Sequence, residues 1–130
     1  VLYSLVVMSS PATGQSAMTA AHFALSAIHK GHGIHRVFFL DQGTANGSAV
    51  AVYPQDEADR LEPWLELAEK HQVELVLCIS SALRQGMLDA DEAERYEKAA
   101  ATIHPAFTIS GLGQLVDAAM VSDRVVTFGG

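Results

Sequence analysis

Ala17–Leu40, AMTAAHFALSAIHKGHGIHRVFFL, reads as a helix that stops on a glycine and leads at once into a strand. Ala17, Ala20, Ala21, Ala24, Leu25 and Ile28 recur at helical spacing and fall on one face, and Gly31 stands where a left-handed residue closes a helix. Ser16 is placed to cap the start. Ile34 to Leu40, centred on Val37, Phe38 and Phe39, is a short β-branched and aromatic run of the kind that fills a buried strand. Upstream, Leu2–Met8 (LYSLVVM) is a second such run, and SSPATGQ, with Pro11 and Gly14, supplies the turn between them. Strand, helix and strand are thus complete within forty residues. That is a βαβ crossover, and it implies parallel pairing.

The same alternation continues. Asp41 to Gln55 is the longest irregular stretch, a length that in compact domains is usually functional or mobile. A helix follows with Leu61, Trp64, Leu65 and Ala68 on one face, with Pro63 tolerable in its first turn. Glu74 to Cys78 is the third strand. Asp89 and Glu92 have the spacing of a capping box that opens a charged helix to about Ala100, which Pro105 ends. Phe107 to Ile109 supplies a brief fourth strand. Ser110 then caps a helix whose inner side is expected to carry Leu112, Leu115, Val116, Ala119 and Met120, and Arg124 to Phe128 closes the sheet. The pattern predicts a three-layer α/β/α sandwich with a mainly parallel sheet of about five strands.

Bulk properties narrow the function. A chain of 130 residues forms a single domain, 1–130, with a core of its own. No apolar run approaches the ~20 residues of a membrane span. Val1 to Met8 lacks a basic leader, so it reads as a strand where a signal peptide would compete, and a cytoplasmic location is expected. A net charge of −7, with 8 Lys and Arg spread along the chain, argues against direct contact with nucleic acid phosphates. The chain has one cysteine, which excludes an internal disulfide and any mechanism that needs a resolving thiol in the same subunit.

That cysteine lies in VELVLCISSALRQG, residues 73–86, where a strand runs into a helix. In parallel sheets the carboxyl ends of strands are where ligands bind, and backbone N–H groups at a helix start favour a thiolate. Cys78 is the candidate nucleophile, expected to face solvent at the rim of the sheet. Ser80 and Ser81 are supporting candidates that could hydrogen-bond a sulfur anion, although at a helix start capping is their more ordinary role. No metal is expected: His29, His32 and His35 straddle a helix end and a strand start, with no cysteine or carboxylate cluster beside them. SGLG at Ser110–Gly113 lacks the spacing of a phosphate loop and reads as a tight turn. The acidic run Asp89–Glu97, interleaved with Arg95 and Lys98, reads as a solvated helix face, with a partner-facing surface as the alternative.

Three segments together, RVFFL with the following DQG, LCISSALRQGMLDADEAER, and FTISGLGQLVDAAMVSDRVVTF, resemble the DsrE/TusD family of sulfur-relay subunits. The resemblance spans essentially the whole chain, with departures at Ser10, where a glycine is usual before the proline, and at Leu40, where an aromatic residue is usual. Neither departure is expected to touch the cysteine segment. The resemblance implies a sulfurtransferase in which Cys78 carries sulfane sulfur as a persulfide, without metal or organic cofactor. It also implies related subunits resembling TusB and TusC, or DsrF and DsrH, in a hetero-hexamer, a TusA-like donor, and a TusE- or DsrC-like acceptor. TusD-like members serve 2-thiouridine formation on tRNA; DsrE-like members serve dissimilatory sulfur oxidation. Two readings of other kinds stand beside this one: a non-catalytic assembly subunit whose cysteine is core, and a small nucleotide- or flavin-binding module, which the fold class allows.

Overall fold

A computed structural model describes residues 1–129. The five strands are β1 (Leu2–Val7), β2 (Gly33–Phe39), β3 (Glu74–Cys78), β4 (Phe107–Ser110) and β5 (Arg124–Phe128), ordered β4-β3-β2-β1-β5 with every pairing parallel. The helices are α1 (Ser16–His29), α2 (Glu62–His71), α3 (Ile79–Arg84), α4 (Ala90–Arg95) and α5 (Gly113–Val121). The α/β/α sandwich expected from the alternation is present, and its two outer layers are unequal.

Period-two alternation sorts the strand residues between the faces. On one face Leu5, Val7, Val37, Phe39, Leu75, Leu77 and Phe107 form the main core with the alanine face of α1 and with Trp64 and Leu67 of α2. Phe39 meets the Trp64 ring edge-on at 5.0 Å. Ala82 of α3 joins the same cluster. The opposite face carries a much smaller cluster, Phe38, Val76 and Cys78, with Leu40 and Leu115 packed against it. Its covering helix is α5, and of the nine residues in α5 Ala118 alone is buried.

That helix reverses the expected amphipathic orientation. Leu115 turns inward, but Leu112, Val116 and Met120 are 57%, 58% and 81% exposed, and Ala119 is exposed as well. Spacing fixed a stripe on the helix; it did not say which stripe the sheet would take. Small Ala118 and half-polar Gln114 and Asp117 let α5 lie over buried Arg36, leaving the bulkier apolar row outside.

Helix ends follow local chemistry more closely. Gly31 (φ +89°) closes α1 as expected: its N–H donates to the Ile28 carbonyl at 3.0 Å and the His32 N–H to the Ala27 carbonyl at 2.9 Å. Gly86 (φ +73°) ends α3 with the same pair of bonds, onto Leu83 and Ala82. Ser16 does not cap α1; its hydroxyl donates to the Gly129 carbonyl instead. Ser110 is likewise not the cap of α5, which Leu112 precedes. The Asp89 side chain accepts from the Glu92 N–H at 2.9 Å and caps α4. However, α4 stops at Arg95, well short of Ala100, where Glu97 adopts a left-handed conformation and the Lys98 N–H bonds back to Ala93.

The first half of the 41–55 stretch is not loose. Asp41–Gly47 winds as a 3₁₀ helix, and Gly43, Thr44, Asn46 and Gly47 are buried. Asn46 donates to the Ser9 and Gly43 carbonyls and accepts from the Trp64 indole at 3.1 Å. A side chain at Gly43 would meet the Val7 carbonyl oxygen at 2.0 Å, so glycine is required for this close approach.

Candidate functional site

Cys78 is the last residue of β3 and the residue that opens α3, at φ −63° and ψ 123°. The strand-to-helix corner read from the sequence is therefore present, at the carboxyl edge of a parallel sheet. The thiol itself is not at the surface. Cys78 is 5% exposed and packs with Phe38 and Val76 beneath Leu40 and Leu115. The expectation of a solvent-facing sulfur is thereby corrected. Glu74, Val76 and Cys78 alternate onto one side of β3, the face on which α5 packs and which Leu115 reaches. Leu40 is also corrected: its aliphatic side chain packs against the cluster that Cys78 belongs to.

The two serines separate. Ser81 is buried, and its hydroxyl accepts from the Asp41 N–H at 3.0 Å, tying α3 to the start of the 3₁₀ helix. Ser80 is exposed on the first turn. Neither side chain caps α3. Ser81 thus holds the loop after β2 against the loop after β3, and its contribution to the corner is positional.

One buried charge on the cysteine's face of the sheet escaped the sequence reading. Arg36 is 6% exposed. Its Nε and Nη2 donate to Glu74 Oε2 at 2.9 and 2.6 Å, and Nη1 donates to Asp117 Oδ2 and to the Gln114 carbonyl, both at 2.8 Å. Burial opposes its charge, but the bonds to Asp117 and Glu74 outweigh that and raise its pKa further. Asp117 responds in the opposite sense: the bond from Arg36, with a weaker one from His35 Nε2 at 3.5 Å, holds its carboxyl below the usual aspartate range. A lone arginine in a strand carries no sequence signal of this kind, because its partners lie 38 and 81 residues away.

The three histidines do not converge. His35 faces Asp117, whereas the His32 ring stands against Tyr3 at 5.7 Å. Among the described residues no group of three or more His, Cys, Asp and Glu is placed to hold a metal ion. An apolar groove of about 690 Å³ runs along Leu83, Leu88, Tyr96 and Thr102, beyond the far end of α3, and Cys78 does not line it. No helix is long and apolar enough to cross a membrane among the described residues.

Fold and site together define a small parallel α/β protein with one cysteine at the carboxyl edge of a central strand. The chain belongs to the DsrE/DsrF-like family, whose model matches residues 2–128. It is 43% identical over 127 residues to DsrE of Allochromatium vinosum, covering 98% of each chain. It is 42% identical to the sulfurtransferase TusD homolog of Pseudomonas aeruginosa, covering 96% of this chain and 95% of that one. It is also 42% identical to the sulfurtransferase TusD of Serratia proteamaculans, covering 97% and 98%. The crystal structure of the YchN protein from E. coli superposes with a TM-score of 0.74 over 97% of each chain at 16% identity, a likeness of fold.

Proposed function

We propose that this protein is a sulfurtransferase subunit of a sulfur relay, in which Cys78 takes up sulfane sulfur and passes it to an acceptor thiol on another protein. The observation that carries this reading is the position of the chain's one cysteine, at the end of β3 and the start of α3. The Cys78 thiolate attacks the outer sulfur of a donor persulfide; the donor leaves as its thiolate, and Cys78 holds the new persulfide. An acceptor thiolate then attacks that outer sulfur and regenerates Cys78. Sulfur changes hands without net oxidation, and donor and acceptor thiols come from other chains because this one has a single sulfhydryl.

Incubation with a persulfide donor followed by mass spectrometry tests the reading. A gain of ~32 Da on the native protein, absent in Cys78→Ser, is expected; no gain in either refutes it.

TusD-like relatives favour a relay that feeds 2-thiouridine formation on tRNA, from a TusA-like donor to a TusE-like acceptor. The comparable similarity to DsrE keeps sulfur oxidation, with a DsrC-like acceptor, as the second pathway. Loss of tRNA 2-thiouridine in a deletion strain supports the first, and loss of growth on reduced sulfur compounds supports the second. The exposed row Leu112, Val116 and Met120 on α5 supports assembly with related subunits, since contiguous apolar surface on a small protein commonly marks an interface. Burial of Cys78 favours the alternative of a purely structural assembly subunit, which the same mass measurement separates.

A further inference from the structure

We infer that α5 is a removable cover over Cys78, latched to the sheet by Arg36, and that sulfur reaches the thiol when this helix lifts. The inference rests on Cys78 as the carrier and adds how that site is opened.

Two parallel rows of side chains lie on the sheet face that α5 packs against. On β2 the row is Arg36, Phe38, Leu40; on β3 it is Glu74, Val76, Cys78. Arg36 and Glu74 pair at one end of these rows and Cys78 lies at the other; α5 packs over the β2 row, and its Leu115 reaches the cluster that includes Val76 and Cys78. Leu115 presses on the apolar part, while Asp117 and the Gln114 carbonyl receive Arg36 a turn or less away.

The helix is held lightly for an element in that position. It buries Ala118 alone, whereas α1 on the other face buries five residues. Elements with few buried apolar contacts open at lower cost than the fold as a whole. A polar latch suits a cover of this kind. Asp117 is half exposed, at 52%, so its bond to Arg36 exchanges for water as the helix leaves, while Glu74 on β3 stays paired with Arg36 and keeps that charge answered. An apolar seam of the same length would have to expose hydrocarbon instead.

The experiment follows alkylation of Cys78 by excess iodoacetamide in the native full-length chain, by mass spectrometry, together with hydrogen exchange of the 113–121 amides. Asp117→Asn removes one arm of the latch and Leu115→Ala removes the covering side chain without touching the latch. Each is expected to speed alkylation by about three- to tenfold, with faster exchange confined to α5 in Asp117→Asn. An unchanged alkylation rate in Asp117→Asn despite faster α5 exchange overturns the inference, as does an unchanged rate in Leu115→Ala. Should Asp117→Asn exchange faster throughout the molecule, Leu115→Ala alone decides, in the same two directions. Failure of the sulfur reading looks different: alkylation accelerates in both variants, yet neither gains ~32 Da from a persulfide donor.

Discussion

Arg36 Nη1 donates to Asp117 Oδ2 at 2.8 Å, and this bond joins the centre of the sheet to the one helix that covers the cysteine's face. On the proposed reading the site's chemistry and its accessibility fall to different residues: Cys78 would carry the sulfur, and a strand arginine 42 positions earlier would hold the helix that packs on its face.

Cys78→Ala is expected to fold and melt almost as the native protein does, with a loss of about 1 kcal/mol for one buried sulfur. It is expected to lose protein-to-protein sulfur transfer completely, because no second thiol exists in the chain. Transfer assayed with a labelled donor persulfide checks this, and retained activity sinks the assignment.

The latch has a defined acid limit. Arg36 and His35 hold the Asp117 carboxyl below its ordinary value of 3.8, so its contribution is complete above that value and is lost as pH falls through the lower, folded value. Hydrogen exchange of α5, corrected for intrinsic rates, should therefore be level from neutral pH down to about pH 4 and rise below it. Asp117→Asn should start from faster exchange and show a smaller acid increment.

Gly43→Ala is expected to destabilise the fold by about 3 kcal/mol or more, since a methyl group there would overlap the Val7 carbonyl and push the 3₁₀ helix off the end of β1. Chemical denaturation reads the loss directly.

Asn46→Ala should cost about 3 kcal/mol, because it strands the Trp64 indole N–H and two backbone carbonyls in the core. Asn46→Asp should not rescue it: the carboxylate keeps the acceptor for Trp64 and loses both donated bonds.

Met120→Asp is expected to leave the melting temperature of the isolated subunit within about 2 °C of the native value, as an 81%-exposed side chain touches little. It should weaken association with related subunits in size-exclusion chromatography. Unimpaired association places the interface elsewhere.

By itself, the sequence determined the elements and their class. Gly31 ends a helix because the backbone there turns left-handed, and the βαβ run from Leu2 to Phe39 permits little but parallel pairing. It also marked Cys78 as the chain's single thiol and so its candidate sulfur carrier, because a unique thiol needs no three-dimensional argument to be unique. Tertiary structure alone decided whether that thiol is open. Periodicity locates an apolar stripe on a helix without saying which stripe meets the sheet. On α5 the face toward the sheet is the one that carries Asp117 and the Gln114 carbonyl to Arg36. That orientation puts Leu115 down on the cysteine's cluster and leaves Leu112, Val116 and Met120 in solvent.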